Sequence, residues 1–145
     1  MIEIMYIFDF DGTLSDSTHR QSLAGQHRWD EFHSAAKLDQ PRWEIVNIYE
    51  GLLNHSSGVA VGILSAKPEK YNNDMWEWLE KHSISDPDFI LCRPNNDLKT
   101  KAPELKLQLI ENKLTFDKLS DIVLFDDRQD IVDFLITKGI KAIKV

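Results

Sequence analysis

The stretch that decides the fold is IMYIFDFDGT, residues 4–13, near the start of the chain. Its first five residues are apolar or aromatic, which is typical of a strand buried on both faces of a parallel sheet. Asp9 and Asp11 then end the run, and side chains two residues apart leave a strand on the same side. Two such carboxylates are costly to bury unless a cation or hydrogen-bond donors compensate them. The stretch therefore predicts a strand-end site for a divalent cation such as Mg²⁺, held by oxygen ligands and a phosphate.

Apolar runs alternate with amphipathic stretches along the rest of the chain. Further strands are predicted at 59–64, 88–92, 121–125 and 140–145, and helices near 29–38, 41–53, 71–82, 103–113 and 128–138. This alternation is typical of an α/β fold, a Rossmann-like three-layer sandwich with about five parallel strands and helices on both faces. We expect one domain over 1–145, with a small helical insert at about 27–55. The roughly 55 residues between Asp11 and Ser65 leave no room for a large cap domain.

The segment after the first strand, residues 13–26, is polar and broken by Gly25, so a loop or flap beside the carboxylates is expected. Trp29 then opens a run with helical spacing, and Trp43 precedes another. Both tryptophans are expected in the core, with a platform for base stacking as the alternative.

The composition excludes several classes of function. A net charge of −7 argues against an extended surface that binds duplex nucleic acid, although it allows a local basic pocket. No apolar stretch approaches the roughly 20 residues of a membrane span, and the start lacks a basic region, so neither a membrane segment nor a signal peptide is expected. The single cysteine permits no internal disulfide, and a cytoplasmic location is expected. The five histidines form no zinc motif.

Polar side chains follow two further strands of the predicted sheet. Ligands of open α/β sheets bind beyond the carboxyl ends of the strands, so these side chains should lie near Asp9 and Asp11. Ser65 ends the second strand where a helix is expected to begin, and the N–H groups of a helix start attract anions. Asp126 and Asp127 end the fourth strand and repel each other unless they share a cation. Asp126 is expected as a direct metal ligand and Asp127 as a second or water-mediated one.

The motif Asp9-Phe10-Asp11-Gly12-Thr13 resembles the D-x-D-G-T/V signature of the haloacid dehalogenase (HAD) superfamily. The resemblance implies that Asp9 attacks phosphorus, and that Asp11 protonates the leaving group and later activates water. The second aspartate is characteristic of the phosphatase branch, so a dehalogenase is not expected.

The same resemblance assigns ligands to the phosphoryl group and to the metal. Thr13, Ser65 and a helical lysine would bind phosphate, while Mg²⁺ would be held by Asp9, Asp11 through its carbonyl, Asp126 and Asp127. Lys99, Lys101 and Lys106 are the candidates for the lysine. Lys106 is favoured because it lies one turn into a predicted helix, which gives the cation a rigid support.

A looser resemblance to the phosphatase domain of bacteriophage-type polynucleotide kinases extends over nearly the whole chain. Outside the motifs it rests on His27-Arg28-Trp29-Asp30-Glu31-Phe32, on Arg93 with Asp97, and on Arg128 after the paired aspartates. No P-loop motif occurs in the sequence. The resemblance implies removal of a 3′-phosphate from a nucleic acid end or a nucleotide. Arg93 and Arg128 would then lie at the rim of the site and meet a second phosphate.

Other functions stay open at the level of sequence. A 5′-nucleotidase, another small-molecule phosphomonoesterase or a phosphotransferase would use the same residues. A non-catalytic module that binds phosphate or protein is the alternative outside the enzymes, and the intact set of Asp9, Asp11 and Asp126 counts against it.

Overall fold

A five-stranded parallel sheet forms the centre of the protein, seen in a computed structural model that describes residues 2–55 and 57–145. The described residues contain seven strands, five of which belong to this sheet: β1 (Ile4–Phe8), β2 (Ser15–Asp16), β3 (Gln40–Pro41), β4 (Val59–Pro68), β5 (Phe89–Arg93), β6 (Ile122–Asp126) and β7 (Lys141–Lys144). The order in the sheet is β5-β4-β1-β6-β7, and every neighbouring pair is parallel. β2 and β3 form a separate antiparallel pair. The predicted α/β fold with five parallel strands is confirmed.

Helices cover both faces of this sheet. They are α1 (Gln21–Gly25), α2 (Trp29–Ser34), α3 (Trp43–Leu53), α4 (Asn72–Lys81), α5 (Ala102–Lys113) and α6 (Gln129–Thr137). Side chains of α3 and α4 share one core cluster, and side chains of α5 and α6 share the other. No helix in the described part of the chain is both long and apolar enough to cross a membrane.

β1 separates the two cores because its side chains alternate between the faces of the sheet. Ile7 is completely buried in the cluster with α5 and α6, whereas Phe8 is completely buried in the cluster with α3 and α4. The Phe8 ring stacks on that of Phe125 with centroids 4.5 Å apart. Burying side chains of this size stabilises the fold by about 1.5–3 kcal/mol each. The strand that carries the two aspartates is therefore firmly anchored.

The segment between β1 and α3 contains more structure than the loop or flap expected at 13–26. β2, a 3₁₀ turn at 18–20 and α1 occupy that range. Pro41, expected in the first turn of a helix, lies in β3, because Gln40 and Pro41 pair with β2 and the Arg42 amide donates to the Leu14 carbonyl at 2.8 Å. α3 begins only at Trp43 and packs into the core. We call residues 15–41, which lie between β1 and α3, the inserted segment. The later part of the helical insert expected at about 27–55 corresponds to α3.

The expectation that Trp29 and Trp43 lie in the core is wrong. Trp29 is 49% exposed and Trp43 is 51% exposed. Each stands at the first position of its helix, and the buried side chains of these two helices come from later residues such as Phe32 and Val46.

Candidate active site

The carboxyl ends of β1, β4 and β6 meet at one edge of the sheet, beside a cavity of about 650 Å³. β1 lies between β4 and β6, so the chain winds outward in both directions from this strand, and open α/β sheets bind ligands at such a point. Asp9 and Asp11 follow β1, Ser65 lies in β4 and Asp126 ends β6. The structure thus brings the predicted strand-end residues to one place.

Lys106 lies at the centre of a buried cluster of charges. Its Nζ is 2.7 Å from Oδ1 of Asp9 and 2.5 Å from Oδ2 of Asp126, and its side chain is 1% exposed. The second turn of α5 carries it, and its neighbour Leu105 is buried in the core, so the cation has a rigid support. The other two candidate lysines, Lys99 and Lys101, are exposed. Among the three, Lys106 is the one that reaches the carboxylates.

The charges in this cluster depend on one another. Burial raises the pKa of Asp9 well above its usual range and the charge of Asp126 raises it further, while Lys106 acts in the opposite direction. Burial lowers the pKa of Lys106, but Asp9 and Asp126 outweigh that effect and raise it. Lys106 is therefore a cation at neutral pH, and additional positive charge beside Asp9 would favour the ionised form of this carboxyl.

Gly12 allows Asp127 to approach the turn that follows Asp11. Its φ is +83°, a left-handed conformation that favours glycine, and a Cβ at this position would lie 2.3 Å from Oδ2 of Asp127. The hydroxyl of Thr13 lies 3.0 Å from Oδ2 of Asp9 and 3.2 Å from Oδ1 of Asp127, and can donate its one proton to either. Thr13 is completely buried and faces these carboxylates, so it orients Asp9 and Asp127 in this structure.

The carboxylates fit a divalent cation. Asp9, Asp126 and Asp127 each offer an oxygen within 4.8 Å of the others, and these three negative charges face the single charge of Lys106. Oxygen donors of this kind suit a hard cation such as Mg²⁺. Asp126 already accepts hydrogen bonds from Lys106 and from the Arg128 amide, whereas Asp127 lines the cavity. All three carboxylates remain candidate ligands, and the expected order of Asp126 before Asp127 as a direct ligand stays a prediction.

Asp11 belongs to a second cluster of buried charges. Its Oδ1 accepts a hydrogen bond from Nη2 of Arg20 at 2.5 Å and lies 3.0 Å from Nζ of Lys67. Both cationic side chains are 1% exposed. Burial alone would raise the pKa of Asp11, but Lys67 and Arg20 outweigh burial and lower the pKa to about 2. Asp11 is therefore ionised at neutral pH in the free protein.

Arg20 is fixed by a network that the inserted segment supplies. Its Nε and Nη2 donate to the two oxygens of Asp39 at 2.9 and 2.7 Å, and its Nη1 donates to the carbonyl of Phe32 at 3.0 Å. The guanidinium also lies 4.3 Å from the centroid of the Phe32 ring. Asp39 is completely buried and lies 2.6 Å from Nε2 of His19. Such two-pronged pairing holds an arginine in one orientation, so the insert presents a fixed cation to Asp11.

Sequence reasoning missed Lys67, Arg20 and Asp39. Lys67 offered a signal, because it follows Ser65 by two residues at a strand end that was already assigned to the site. Arg20 and Asp39 offered none, since they are 19 residues apart and lie in stretches without a regular pattern.

Ser65 is buried, lines the cavity and accepts the amide of Lys67 at 3.2 Å, but it does not stand before a helix. β4 continues to Pro68, a 3₁₀ turn follows at 69–71, and α4 begins at Asn72. The expected helix start at Ser65 is wrong, because a proline keeps the residue before it, here Lys67, extended. The positive charge beside Ser65 comes from the side chain of Lys67 instead.

Arg93 and Arg128 both line the cavity, and the protein already engages their guanidinium groups. Arg93 donates to the carbonyls of Ala66 and Thr100 at 2.8 and 2.7 Å, and so ties the end of β4 to the loop between β5 and α5. Arg128 donates to the carboxylate of Asp130 at 3.1 and 2.6 Å. A guanidinium carries five N–H donors, so these bonds occupy only part of each group, and the contact of both arginines with a second phosphate stays a prediction.

The cavity is more basic than the protein as a whole. Its lining includes five basic side chains and four aspartates: Lys67, Arg93, Lys101, Lys106, Arg128, Asp9, Asp11, Asp97 and Asp127. The whole chain, by contrast, carries a net charge of −7. An anionic ligand is therefore favoured here and disfavoured over most of the remaining surface.

Known proteins share this sequence pattern and this fold. The sequence model of a family described as the polynucleotide kinase PNKP phosphatase domain matches residues 3–145. The fold is similar to a chain in the structure of a Pnkp1/Rnl/Hen1 complex, with a TM-score of 0.78 and 24% identity. It is also similar to a chain in the structure of the Pnkp1/Rnl/Hen1 RNA repair complex, with a TM-score of 0.80 and 24% identity.

These structural matches cover different shares of the other chains. The two matches to the Pnkp1/Rnl/Hen1 structures cover 99% of this chain, but 46% and 42% of the other chains, so this chain spans less than half of their length. A HAD hydrolase of family IA, variant 3, from Entamoeba histolytica HM-1:IMSS matches with a TM-score of 0.67 and 14% identity, over 98% of this chain and 83% of the other. No curated protein matches the sequence.

Proposed function

This chain belongs to the family of polynucleotide kinase PNKP phosphatase domains, within the HAD superfamily, and from that premise we propose that it is a Mg²⁺-dependent hydrolase of 3′-phosphates on nucleic acid ends or nucleotides. The observation that carries the proposal is the buried cluster in which Lys106 joins Asp9 to Asp126. Of these two carboxylates, Asp9 lines the cavity, so Asp9 is the one that meets a substrate.

Asp9 is the nucleophile in this proposal. Its Oδ1 is held by Lys106 at 2.7 Å and its Oδ2 by Thr13 at 3.0 Å, which fixes the carboxylate for attack. A carboxylate oxygen forms a bond to phosphorus while the bond from phosphorus to the leaving oxygen breaks, and an aspartyl-phosphate results. Lys106 stabilises the negative charge that moves with the phosphoryl group.

Asp11 moves the protons. It gives a proton to the leaving oxygen in the first step, and takes one from the attacking water in the second, which releases phosphate and restores Asp9. Because the pKa of Asp11 is about 2 in the free protein, Asp11 must take up a proton from solvent when the substrate binds. A phosphate dianion beside Asp11 raises its pKa by repulsion and competes with it for Lys67.

Ser65, Lys67 and Lys106 are the groups that we assign to the phosphoryl oxygens. The hydroxyl of Thr13, also expected to bind phosphate, would have to turn its one proton away from Asp9 and Asp127 to do so. Lys67 is buried and lines the cavity, and its ammonium group makes no well-aligned hydrogen bond to the protein, although Asp11 lies 3.0 Å away. Its protons are therefore available to a phosphate.

The divalent cation would be held by Asp9, Asp126 and Asp127, with the carbonyl of Asp11 as a further ligand. When bound, Mg²⁺ screens the charge of the nucleophile from that of the phosphate and polarises the phosphoryl oxygen. The raised pKa of Asp9 in the free protein supports this assignment, since a cation beside the carboxylate would keep it ionised.

The cavity supports a substrate larger than a phosphate group. Its volume of about 650 Å³ and its basic lining suit a nucleotide or a strand end, and no cap domain encloses it in the described residues. The exposed Lys101 lines the cavity and is available for a second phosphate. Two similar solved chains come from complexes described by the names Pnkp1, Rnl and Hen1, one of them as an RNA repair complex.

A second candidate function is a 5′-nucleotidase or another small-molecule phosphomonoesterase. The observation in its favour is that Arg93 and Arg128, the residues expected to meet a second phosphate, already have protein partners. A substrate with one phosphate would leave both pairs undisturbed.

The test is phosphate release with Mg²⁺ from a matched panel. The panel contains a 3′-phosphorylated oligonucleotide, its 5′-phosphorylated twin, 3′- and 5′-mononucleotides and a sugar phosphate, with Asp9→Asn as the blank. A strong preference for 3′-phosphates is the expected result. Preference for the 5′-mononucleotide or the sugar phosphate would favour the second candidate. Release that is unchanged by EDTA and by Asp9→Asn would contradict the proposed chemistry.

A further inference from the structure

The wall of the cavity next to the phosphate site is aromatic, and the chemistry proposed above does not use it. Trp29, Phe32 and His33 of α2 all line this wall. Trp29 is 49% exposed, and Leu98, from the loop after β5, lines the same cavity with 84% of its surface exposed. Within the described part of the chain, Trp29 and Leu98 are the two large apolar residues that are exposed and also line this cavity. Exposed apolar surface inside a polar cavity is typical of a place where a ligand binds and covers that surface.

Ring contacts hold Trp29 in a defined orientation. Its ring centroid lies 5.8 Å from that of Phe32 at an interplanar angle of 89°, and 6.2 Å from that of His33 at 26°. His33 in turn contacts Tyr71, with centroids 5.0 Å apart. Burial lowers the pKa of His33 to about 4, so the wall carries no charge at neutral pH. The result is a rigid, neutral aromatic surface, which suits stacking better than recognition of an anion.

Phe32 connects this surface to the reaction centre. The guanidinium of Arg20 lies 4.3 Å from the centroid of Phe32 on one side and 2.5 Å from Asp11 on the other. A chain of contacts through Phe32 and Arg20 therefore leads from Trp29 to Asp11, and both ends of this chain line the same cavity, where one ligand can touch both.

We propose that Trp29 is the stacking platform for the nucleobase of the nucleotide whose phosphate is removed, with Leu98 adding apolar surface. This inference rests on the proposed function and names the part of the substrate that the site recognises besides the phosphate. Every base has a π face, so recognition of this kind tolerates all four bases. The site would select nucleotides over sugar phosphates without selecting a sequence.

The test measures binding without turnover, in the Asp9→Asn background with Mg²⁺ present. Calorimetry compares an oligonucleotide that ends in an ordinary 3′-phosphorylated nucleotide with one whose terminal 3′-phosphorylated sugar lacks the base. The ordinary end is expected to bind about ten to a hundred times more tightly, as one stacked base implies. In Trp29→Ala this ratio is expected to fall towards one, and Trp29→Phe, which keeps a smaller ring, should retain part of it.

Trp43→Ala is the matched control, since Trp43 is similarly exposed but does not line the cavity. It is expected to keep the ratio of the parent. A ratio near one in the parent, or a ratio that survives Trp29→Ala, would overturn the inference. A 3′-mononucleotide, measured in the same way, distinguishes a free nucleotide from a strand end as the ligand. Equal affinity for the mononucleotide and the oligonucleotide would show that the terminal nucleotide alone is recognised. Should the panel above show no phosphatase activity, the proposed function fails, while the calorimetric ratio still decides the stacking.

Discussion

Replacing Arg20 with Met tests whether the inserted segment holds the proton-transfer group in place. Arg20 is 1% exposed and joins two carboxylates, Asp39 through two hydrogen bonds and Asp11 through one. A methionine keeps the unbranched apolar stem but lacks the guanidinium, so it leaves both carboxylates short of a partner in a buried setting. Removing one member of a buried ion pair destabilises a protein by about 3–5 kcal/mol. We expect a loss of this size in the free energy of unfolding at pH 7.

Part of this loss should depend on pH. The pKa of Asp11 falls from an ordinary 3.8 to about 2, and its side chain is 19% exposed. A lowered pKa in the folded state stabilises the protein above the unfolded pKa, and this stabilisation disappears as the pH falls towards the folded pKa. The whole shift corresponds to about 2 kcal/mol, which Lys67 and Arg20 share, so we assign about 1 kcal/mol to Arg20.

Urea unfolding without Mg²⁺, followed by tryptophan fluorescence between pH 7 and pH 3, measures both quantities. The gap between the parent and Arg20→Met should be widest at pH 7 and narrow below about pH 4. Arg28→Met is the control, because the ion pair of Arg28 with Glu31 is exposed and should contribute little. A gap below about 1 kcal/mol at pH 7, or one that stays constant on acidification, would refute the reasoning.

Three further predictions concern the cluster around Asp9. Lys106→Met leaves two buried carboxylates without a cation, so the free energy of unfolding without Mg²⁺ should fall by about 3–5 kcal/mol. Added Mg²⁺ should restore part of this loss in urea titrations, and no recovery would contradict the metal assignment. Mg²⁺ at a hundred times its dissociation constant should stabilise the parent by about 2.7 kcal/mol, and a thermal shift of the same size in Asp127→Asn would exclude that residue as a ligand. Gly12→Ala forces a Cβ to 2.3 Å from Asp127 at a φ of +83°, so it should lower the free energy of unfolding by at least ~1 kcal/mol and weaken Mg²⁺ binding. A melting temperature equal to that of the parent would count against this close approach.

Local pattern explains which features could be predicted. The five strands were visible because buried strands of a parallel sheet read as continuous apolar runs, and Asp9, Asp11, Ser65 and the paired aspartates were visible because they stand at the ends of those runs. Lys106 followed from its place in a helix after the third strand. The helix start predicted at Ser65 was wrong because Pro68 keeps Lys67 extended, so that β4 continues. The burial predicted for Trp29 was wrong because helical spacing does not fix the residue at which a helix begins.

The sequence by itself determined the sheet, the order of its strands along the chain and the position of two aspartates at the end of the first. These properties depend on neighbours within a few residues, whose side-chain period and backbone preferences the chain carries locally. Only the tertiary structure decided that Arg20 and Lys67 contact Asp11 and that Asp39 holds Arg20. It also decided that Trp29 lines the cavity. Ion pairs between residues far apart in sequence leave no periodic trace, because their geometry is fixed by how the inserted segment packs over the sheet.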